Sequence, residues 1–504
     1  LDTSNISTST VPTTFYPGRK IVSALPQTYT DPTAVGATLP IPASDGVPEE
    51  RFDMVHDTAA PWWPALKAMM SPQASPPFVL SPIIDDTDAR DSLRFLWGDR
   101  DAVILAAQPG AVNSSKLYGD ADINGNTDGL GGVKLGDIFH SSPVLVGRPN
   151  SFPFFTANVN GYQDFLNTYG KRRRVLYVGS NEGVLHAFDA GVWDRKPTQC
   201  DFEADGVTRK HCYDLGTGTE LFAYAPRATM QLLKPMKDTI GPQTRRIQWA
   251  VDGPPTAADV FIDSSHSGTP VPADRTWHTV LVGGMREGSP FEGTPGTAPA
   301  DSLGSYYALD ITQPDQLTSD ASGKPLTVIP GTSNAPLCLD SADSAFDAPC
   351  GKDAADPAVR STQPAREWPT VLWEITDVGD QDLAGTPGAT FIDMGETWSK
   401  PVIGRVRVCT GNCGRTTAPL PTFEDRYVAI FGGGFSRTRL NRHGNWLYMV
   451  DVETGKTLYR VNSSCGVNAG GACTPVYFGS IPSEPTASRP RPSPPAPGHR
   501  RSAD

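Results

Sequence analysis

The sequence predicts an all-β protein made of repeated antiparallel sheets, the architecture of a β-propeller. One observation is a phrase of strand, glycine turn and return strand that occurs three times along the chain. Another is composition, because glycine and proline number 49 and 48 of the 504 residues, well above their combined average of about 12%. Short strands joined by many loops account for such a composition better than helices do.

The first copy of the phrase is KRRRVLYVGSNEGVLHAFDAG, residues 171–191. Apolar side chains run from Val175 to Gly179, and a second apolar run starts at Val184. The polar tetrad SNEG between them, residues 180–183, has the composition of a tight turn. These residues therefore predict a β-hairpin.

Two further copies follow, at residues 276–314 with a longer insertion and at residues 426–461, where residues 453–456 are predicted to make one further turn. The return strands end in Ala-Phe-Asp, Ala-Leu-Asp and Met-Val-Asp in chain order. An internal repeat of small antiparallel sheets predicts the blades of a propeller. The copies lie about 120–150 residues apart, whereas one blade needs about 40–50, so unlike strands or long loops are expected between them.

Charge and hydropathy narrow the classes of function. The net charge of −12 argues against a nucleic-acid-binding protein. No run approaches the roughly 18–20 apolar residues that a membrane span needs, so the chain is expected to be soluble or peripheral to a membrane.

The eight cysteines fall into close pairs within loop-like segments. The predicted disulfides are Cys200/Cys212, Cys338/Cys350, Cys409/Cys413 and Cys465/Cys473. A zinc site is the alternative, since Cys409 and Cys413 have a plausible half-site spacing, but no second half accompanies them. Disulfides are favoured, and they indicate an oxidising compartment, the periplasm or the cell surface.

Composition divides the chain into three parts. Residues 1–90 are predicted to be an irregular lead-in, with a short helix around residues 62–70. Residues 91–482 contain the predicted blades. Residues 483–504 are rich in Pro and Arg with almost no apolar side chains, a composition that predicts disorder.

The most specific chemical motif is GDADINGNTDGLG, ahead of the first hairpin. Its alternating residues occupy positions 1, 3, 5, 7 and 9 of an EF-hand-type loop: Asp120, Asp122, Asn124, Asn126 and Asp128. Gly125 stands at position 6, where the loop turns sharply, and position 7 coordinates through its backbone carbonyl. Oxygen ligands with three formal charges favour Ca²⁺. Position 12 is Gly131 rather than Glu, so a ligand from elsewhere, with Asp137 a candidate, and weak binding are expected.

The alternative interpretation of residues 120–128 is an ordinary Asp/Asn/Gly turn.

Motifs of enzymatic chemistry are not indicated by the sequence. Gly-Lys-Thr at residues 455–457 imitates a phosphate-binding loop, but Val450 stands where its leading glycine is required, so a hairpin turn is predicted. Neither a His-Glu-x-x-His nor a Gly-x-Ser-x-Gly motif occurs. His140 and His186 lie in strand-like runs and are interpreted as structural, so no enzymatic activity is predicted.

Several segments together resemble the C-terminal domain of the PilY-type proteins of bacterial type IV pili. They are KLGDIFHSSPVLVG (134–147), RRVLYVGSNEGVLHAFDAG, ELFAYAPRATMQLL (220–233), TWSKPVIGRV (397–406) and RYVAIFGGGF (426–435). The resemblance covers about residues 90–482 and implies a modified, quinoprotein-like β-propeller. It further implies a calcium-binding protein of pilus extension, retraction, twitching motility and surface attachment. The expected location is the pilus tip of a Gram-negative bacterium, peripheral to the outer membrane. The expected partners are minor pilins and a host or abiotic surface.

Two departures from that family lead us to expect an incomplete propeller. A von Willebrand A-like domain does not precede the blades, and the Pro- and Arg-rich tail replaces a calcium-loop segment, which is interpreted as truncation or a reading-frame change. The alternative function is a quinoprotein-like dehydrogenase, since residues 179–189 also resemble quinoprotein repeats. The adjacent cysteine pair typical of quinoprotein alcohol dehydrogenases is missing from the sequence.

Overall fold

The structure is a computed structural model. It describes residues 21–26, 28–30, 38–40, 49–53, 63–70, 85–96, 135–191, 193, 200, 202, 204–207, 210, 212–216, 218, 220–238, 249–264, 270–288, 291–292, 301–302, 305–314, 317–319, 325–327, 368–376, 394–413, 416–435 and 446–462.

The first sheet has six strands and contains the first predicted hairpin. Its strands are β1 (Ile21–Pro26), β4 (Glu49–Asp53), β5 (Val144–Val146), β6 (Val175–Gly179), β7 (Leu185–Asp189) and β8 (Glu220–Tyr224), in the order β4-β1-β8-β7-β6-β5. Strands β5 to β8 form an antiparallel meander. Strand β1 pairs in parallel with β8, so part of the predicted lead-in extends this sheet.

The second and third sheets are four-stranded antiparallel meanders. The second contains β9 (Thr256–Ile262), β10 (Thr276–Gly284), β13 (Ser305–Asp310) and β16 (Thr370–Thr376). The third contains β17 (Val402–Gly411), β18 (Thr422–Gly432), β19 (Trp446–Asp451) and β20 (Thr457–Asn462). The three predicted copies of the hairpin phrase are therefore confirmed as the pairs β6/β7, β10/β13 and β18/β19.

Smaller elements complete the described structure. Three two-stranded ribbons are β2 (Thr28–Thr30) with β3 (Thr38–Pro40), β11 (Phe291–Glu292) with β12 (Asp301–Ser302), and β14 (Leu317–Ser319) with β15 (Pro325–Thr327). The helices are α1 (Trp63–Met70), α2 (Asp86–Leu96), α3 (Phe152–Ala157), α4 (Tyr162–Tyr169) and α5 (Arg227–Asp238). The short helix predicted around residues 62–70 is confirmed as α1.

The all-β class is confirmed, because strands in three main sheets dominate the described residues. The described strands form no closed barrel, and the propeller arrangement of the sheets stays a prediction. The domain boundaries at residues 90 and 482 also stay predictions. Residues 483–504 lie outside the described residues.

Three hydrophobic clusters hold the elements together. Helices α1, α2 and α5 pack against β1 through residues such as Trp63, Leu93 and Met230. A second cluster joins α4 to the second and third sheets, and a third joins the first sheet to the second. Burial of large apolar side chains on both sides of the second sheet makes it the central element of the core.

A glycine in the second copy of the hairpin phrase makes room for an aromatic ring. Gly283 in β10 pairs across the sheet with Tyr307, and a Cβ at Gly283 would lie 2.5 Å from Cζ of that tyrosine. Such a separation is far shorter than van der Waals contact. Any larger residue at position 283 would therefore displace a fully buried ring.

The predicted turn at residues 453–456 joins β19 to β20 and receives a tryptophan from the second sheet. Trp373 in β16 donates a hydrogen bond from Nε1 to the carbonyl of Val452 (2.9 Å). Its ring lies against Gly455, whose φ is +70° and where a Cβ would lie 2.7 Å from Cγ of Trp373. Glycine is required at this position both by its left-handed conformation and by the contact.

A network of ion pairs also joins the second sheet to the third. Arg275, just before β10, donates from Nε and Nη2 to the two carboxylate oxygens of Glu453, each at 2.8 Å. Arg426 in β18 donates to Glu453 (2.7 Å) and to Asp451 (3.0 Å). Arg275 and Arg426 both contact Glu424. Bidentate geometry and burial make this network a specific contact between the sheets.

Two predicted disulfides are confirmed, Cys200–Cys212 and Cys409–Cys413. The second closes the tip of the β17–β18 hairpin. Because its two sulfurs are bonded to each other, this pair is a disulfide and not half of a zinc site. The predicted pairs Cys338/Cys350 and Cys465/Cys473 lie outside the described residues.

Candidate functional site

The predicted calcium ligands, Asp120, Asp122, Asn124, Asn126 and Asp128, lie outside the described residues. The described chain resumes at Leu135, seven residues after Asp128 in the sequence. No group of three or more His, Cys, Asp or Glu side chains suited to a metal ion occurs among the described residues.

The turn between β6 and β7 binds the segment that follows the predicted calcium loop. The amide of Asn181 donates to the carbonyl of Asp137 (2.9 Å), and the amide of Gly136 donates to Oε2 of Glu182 (3.1 Å). A Cβ at Gly136 would lie 2.8 Å from Cβ of Glu182, so the two segments are in close contact. The tetrad at residues 180–183 thus connects the first sheet to the segment that resumes at Leu135.

Glu182 is itself held by a buried histidine. Nε2 of His186 lies 3.0 Å from Oε1 of Glu182, and Nδ1 lies 2.5 Å from Oε1 of Glu220. Burial alone would lower the pKa of His186, but the two carboxylates outweigh it and raise that pKa. The predicted structural role of His186 agrees with this arrangement.

The same histidine also approaches a serine, as in a nucleophilic triad. Nε2 of His186 lies 2.9 Å from Oγ of Ser180, and Ser180 is 1% exposed. An imidazole that holds its proton between two carboxylates cannot accept one from a serine hydroxyl, which a general base must do. The cluster therefore positions the turn and does not activate a nucleophile.

His140 is fixed by a second buried carboxylate. The amide of His140 donates to Oδ1 of Asp252 (3.2 Å), and Nδ1 lies 2.5 Å from Oδ2. The side chain of Asp252 is 1% exposed, and Nε of Arg286 approaches it to 4.0 Å. His140, which the sequence placed in a strand-like run, lies in a bend before β5, yet its hydrogen-bonded role is as predicted.

These fixed segments present a cluster of aromatic side chains, here called the aromatic surface: Phe139, His140, Trp249, Trp398 and Phe435. Successive ring centroids are 5.3 Å apart for Phe139 and Trp249, 5.4 Å for Trp249 and His140, and 6.4 Å for His140 and Trp398. Trp398 and Phe435 are 6.4 Å apart. Phe139 is 66% exposed, and Trp398 and Phe435 are each 42% exposed.

The backbone that carries the aromatic surface comes from all three sheets. Phe139 precedes β5, Trp249 precedes β9, and Trp398 and Phe435 flank the β17–β18 hairpin. Bridges between Arg286 and Thr397 and between Glu396 and Phe435 join these segments. Arg286 has a φ of +55° and places its guanidinium 4.0 Å from the ring centroid of Trp398. A non-glycine residue in that conformation costs about 1 kcal/mol or more and is often found at functional positions.

An exposed aromatic cluster on a fixed scaffold is suited to contact with another molecule. The sequence prediction did not identify it as a site. A signal was present, because Phe139, Trp398 and Phe435 each lie in one of the segments that carry the family resemblance. Only the fold brings those three segments together.

Comparison with known proteins identifies relatives of one kind. The type IV pilus biogenesis factor PilY1 homologue of Xylella fastidiosa (strain Temecula1) is 31% identical over 217 residues, 42% of this chain and 14% of that protein. PilY1 of Pseudomonas aeruginosa strain UCBPP-PA14 is 29% identical over 187 residues, 36% of this chain and 12% of that protein. These partial similarities support a relationship to the PilY-type proteins.

The similarity to PilY-type proteins covers part of this chain and a small part of each relative. PilY1 of P. aeruginosa strain PAK is 27% identical over 234 residues, 46% of this chain and 14% of that protein. The matches thus span about a seventh of the length of the PilY1 relatives. No family model and no solved structure matches the chain. Among the described residues, no helix is long and apolar enough to cross a membrane.

Proposed function

We propose that this chain is part of a calcium-binding type IV pilus biogenesis protein that acts at the pilus tip in assembly, retraction and surface attachment. The observation that carries the proposal is its similarity to proteins named type IV pilus biogenesis factor PilY1. The aromatic surface supports a role in binding, since it is exposed and is built by loops of three sheets. The proposed activity is contact with other molecules, without turnover of a substrate.

Location and partners follow from the same proposal. Disulfides at Cys200–Cys212 and Cys409–Cys413 favour an oxidising compartment, which agrees with the periplasm and the cell surface. The proposed partners are minor pilins of the tip complex and a host or abiotic surface. The aromatic surface is the proposed contact region for a pilus component.

The proposed calcium site lies in residues 120–128. Asp120, Asp122, Asn124 and Asp128 would hold Ca²⁺ through side-chain oxygens, and Asn126 through its backbone carbonyl. Asp137 is exposed, so its carboxylate is accessible to complete the ligand set. The bound ion would offset the repulsion between carboxylates and order the chain up to Gly136, where the hydrogen bond to Glu182 begins the fixed segment.

Calorimetric titration of the full chain with Ca²⁺ tests the calcium assignment. Asp128→Ala removes a charged ligand and should weaken binding by about tenfold or more. Asn126→Ala is the matched control, because position 7 binds through its backbone and the variant should retain the parent affinity. Equal calcium uptake by the parent and the Asp128→Ala variant would refute the site.

Pilus formation by the bacterium that encodes the chain tests the contact region. Substituting Phe139 and Trp398 together by alanine should reduce surface pilin, measured by shearing and immunoblotting, toward the amount in a strain that lacks the gene. Phe423→Ala is the control, since this phenylalanine is 57% exposed and lies about 30 Å along β18 from Gly432, the end of the strand that leads to Phe435. Normal piliation and attachment of the double variant would rule out this surface.

A further inference from the structure

The aromatic surface consists of rings that the fold holds in place and leaves exposed. Phe435 exchanges both backbone hydrogen bonds with Glu396 (2.8 and 2.9 Å), and the indole of Trp398 donates from Nε1 to Oε2 of Glu396 (2.9 Å). His140 is fixed by Asp252 (2.5 Å). Rings that are already fixed lose little entropy when another segment covers them, so the free energy of apolar burial remains available for binding.

The spacing of these rings matches a segment in the polyproline II conformation. Successive ring centroids of the aromatic surface are 5.3–6.4 Å apart. A polyproline II helix rises about 3.1 Å per residue, so alternate residues lie about 6.2 Å apart. Proline-rich segments bind aromatic-lined surfaces in this conformation. Because proline has no backbone N–H, its positions bring no unsatisfied donor against the rings.

The chain itself contains a proline-rich segment with this spacing. Residues 489–497 read RPRPSPPAP, with Pro490, Pro492 and Pro494 at alternate positions. They lie outside the described residues. A proline-rich sequence has few backbone conformations available before it binds, so it loses less entropy on docking than another sequence of equal length.

The third sheet brings the chain close to the aromatic surface before this segment begins. Asn462, the last residue of β20, lies opposite Trp446, and the carbonyl of Trp446 accepts the amide of Gly433 (2.6 Å). Neighbouring strands are about 4.8 Å apart, so Asn462 lies about 10 Å from Gly433. Phe435 follows Gly433 by two residues, so the chain leaves β20 near this ring.

The chain beyond Asn462 is long enough to return to the rings. Arg489 follows Asn462 by 27 residues, and a flexible chain of that length has a root-mean-square span of about 30 Å. The predicted disulfide Cys465/Cys473 would reduce this span to about 25 Å. A segment tethered in this way has an effective concentration on the order of 1 mM at the surface, so a dissociation constant of about 0.1 mM would keep it docked in most molecules.

Charge favours the same contact. Residues 483–504, here called the tail, contain four arginines and two acidic residues, whereas the whole chain has a net charge of −12. The tail is therefore attracted to the remainder of the chain. Its arginines can also stack on exposed rings. Arg286 already lies over Trp398 (4.0 Å), which favours Phe139 and Phe435 as the rings for these arginines.

We propose that residues 489–497 dock as a polyproline II segment on the aromatic surface of the same chain and cover Phe139, Trp398 and Phe435. Docking depends on the fold and the tail alone, and it requires neither calcium binding nor pilus assembly. Its consequence rests on the proposed function: a pilus component that uses the same rings must displace the tail.

Photo-cross-linking within the full chain tests the contact. A benzoylphenylalanine side chain in place of Ser493 should form bonds, on irradiation, to peptides that contain Phe139, Trp398 or Phe435, identified by mass spectrometry. A mixture of unlabelled and isotopically labelled chains should give products within one chain only. Products that join two chains would make a second copy the occupant and overturn the proposal. Cross-links confined to other segments, or spread evenly over the surface, would also overturn it.

Matched variants separate the aromatic surface from other exposed apolar groups. Phe139→Ala combined with Trp398→Ala should abolish the cross-links to these peptides. Phe423→Ala should leave them unchanged, since this side chain is 57% exposed and lies near the other end of β18. Circular dichroism checks that each variant is folded. Equal cross-linking in the parent and in the folded double variant would contradict the assignment.

Competition with a peptide measures docking while the aromatic surface itself is unchanged. The probe is a fluorescent peptide of residues 487–498, added to the full chain and to a variant with Pro490→Ser, Pro492→Ser and Pro494→Ser. The variant should bind the peptide about tenfold more tightly than the parent, whose own tail competes at an effective concentration on the order of 1 mM. Equal affinity for the two chains, or no binding to either at 1 mM peptide on the scale of that effective concentration, would show that the tail does not occupy the surface.

Discussion

Asp451 offers a quantitative test of the contact between the second and third sheets. It is 2% exposed, and its pKa is raised from the ordinary value of 3.8 to about 6. Burial is the main cause, the charge of Glu453 adds to it, and Arg426 opposes it. Folding therefore favours the protonated form of this carboxyl, and ionisation at higher pH lowers stability.

The magnitude follows from linkage between protonation and folding. A pKa that is about 2 units higher in the folded state corresponds to about 3 kcal/mol. This contribution is fully present below about pH 4 and is lost as the pH rises through about 6. We expect the free energy of unfolding of the parent, measured relative to Asp451→Asn, to fall by about 3 kcal/mol across that interval.

Urea unfolding followed by tryptophan fluorescence suits this measurement, since Trp373 donates to Val452 beside the aspartate. Asp425→Asn is the matched control. The pKa of Asp425 is lowered by its hydrogen bond to Arg405, so its contribution is present above the unfolded pKa and should stay constant from about pH 5 to pH 8. Parallel stability curves for the parent and Asp451→Asn would refute the reasoning.

Two other predictions concern packing and cross-linking. Gly283→Ala should destabilise the chain by about 1–3 kcal/mol because its Cβ meets Tyr307. Tyr307→Phe should be neutral or slightly stabilising, since the buried hydroxyl has no hydrogen-bond partner among the described residues, and a double-mutant cycle should reveal coupling between the two sites. Equal urea midpoints for the parent and Gly283→Ala would contradict this account of the glycine. Replacing Cys200 and Cys212 by serine should cost about 3 kcal/mol by loop entropy, and an unchanged melting temperature would show that the closed loop does not stabilise the fold.

Features formed by residues that are close together in the sequence were predictable from local chemistry. The β6/β7 hairpin follows from apolar runs around a polar glycine turn. The confirmed disulfides join cysteines 12 and 4 residues apart, so their proximity is nearly guaranteed by the chain. The glycine turn before β20 was predictable for the same reason.

The N-terminal strands show where this local reasoning stops. Residues 21–26 have no alternating pattern, and their sequence predicts an irregular lead-in, yet β1 pairs with both β4 and β8. The hydroxyl of Ser23 donates to the carbonyl of Ala225, 202 residues away. A strand buried within a sheet obtains its partners from the fold, and its own sequence need not alternate.

The sequence by itself determined the all-β class, the three hairpin copies and the PilY-type resemblance, because each depends on neighbours along the chain. Only the tertiary structure decided the aromatic surface and the ion pairs between sheets. His140 and Asp252 are 112 residues apart, and Arg275 and Glu453 are 178 apart. Such contacts arise when whole sheets pack against one another, and no local pattern specifies which side chains then meet.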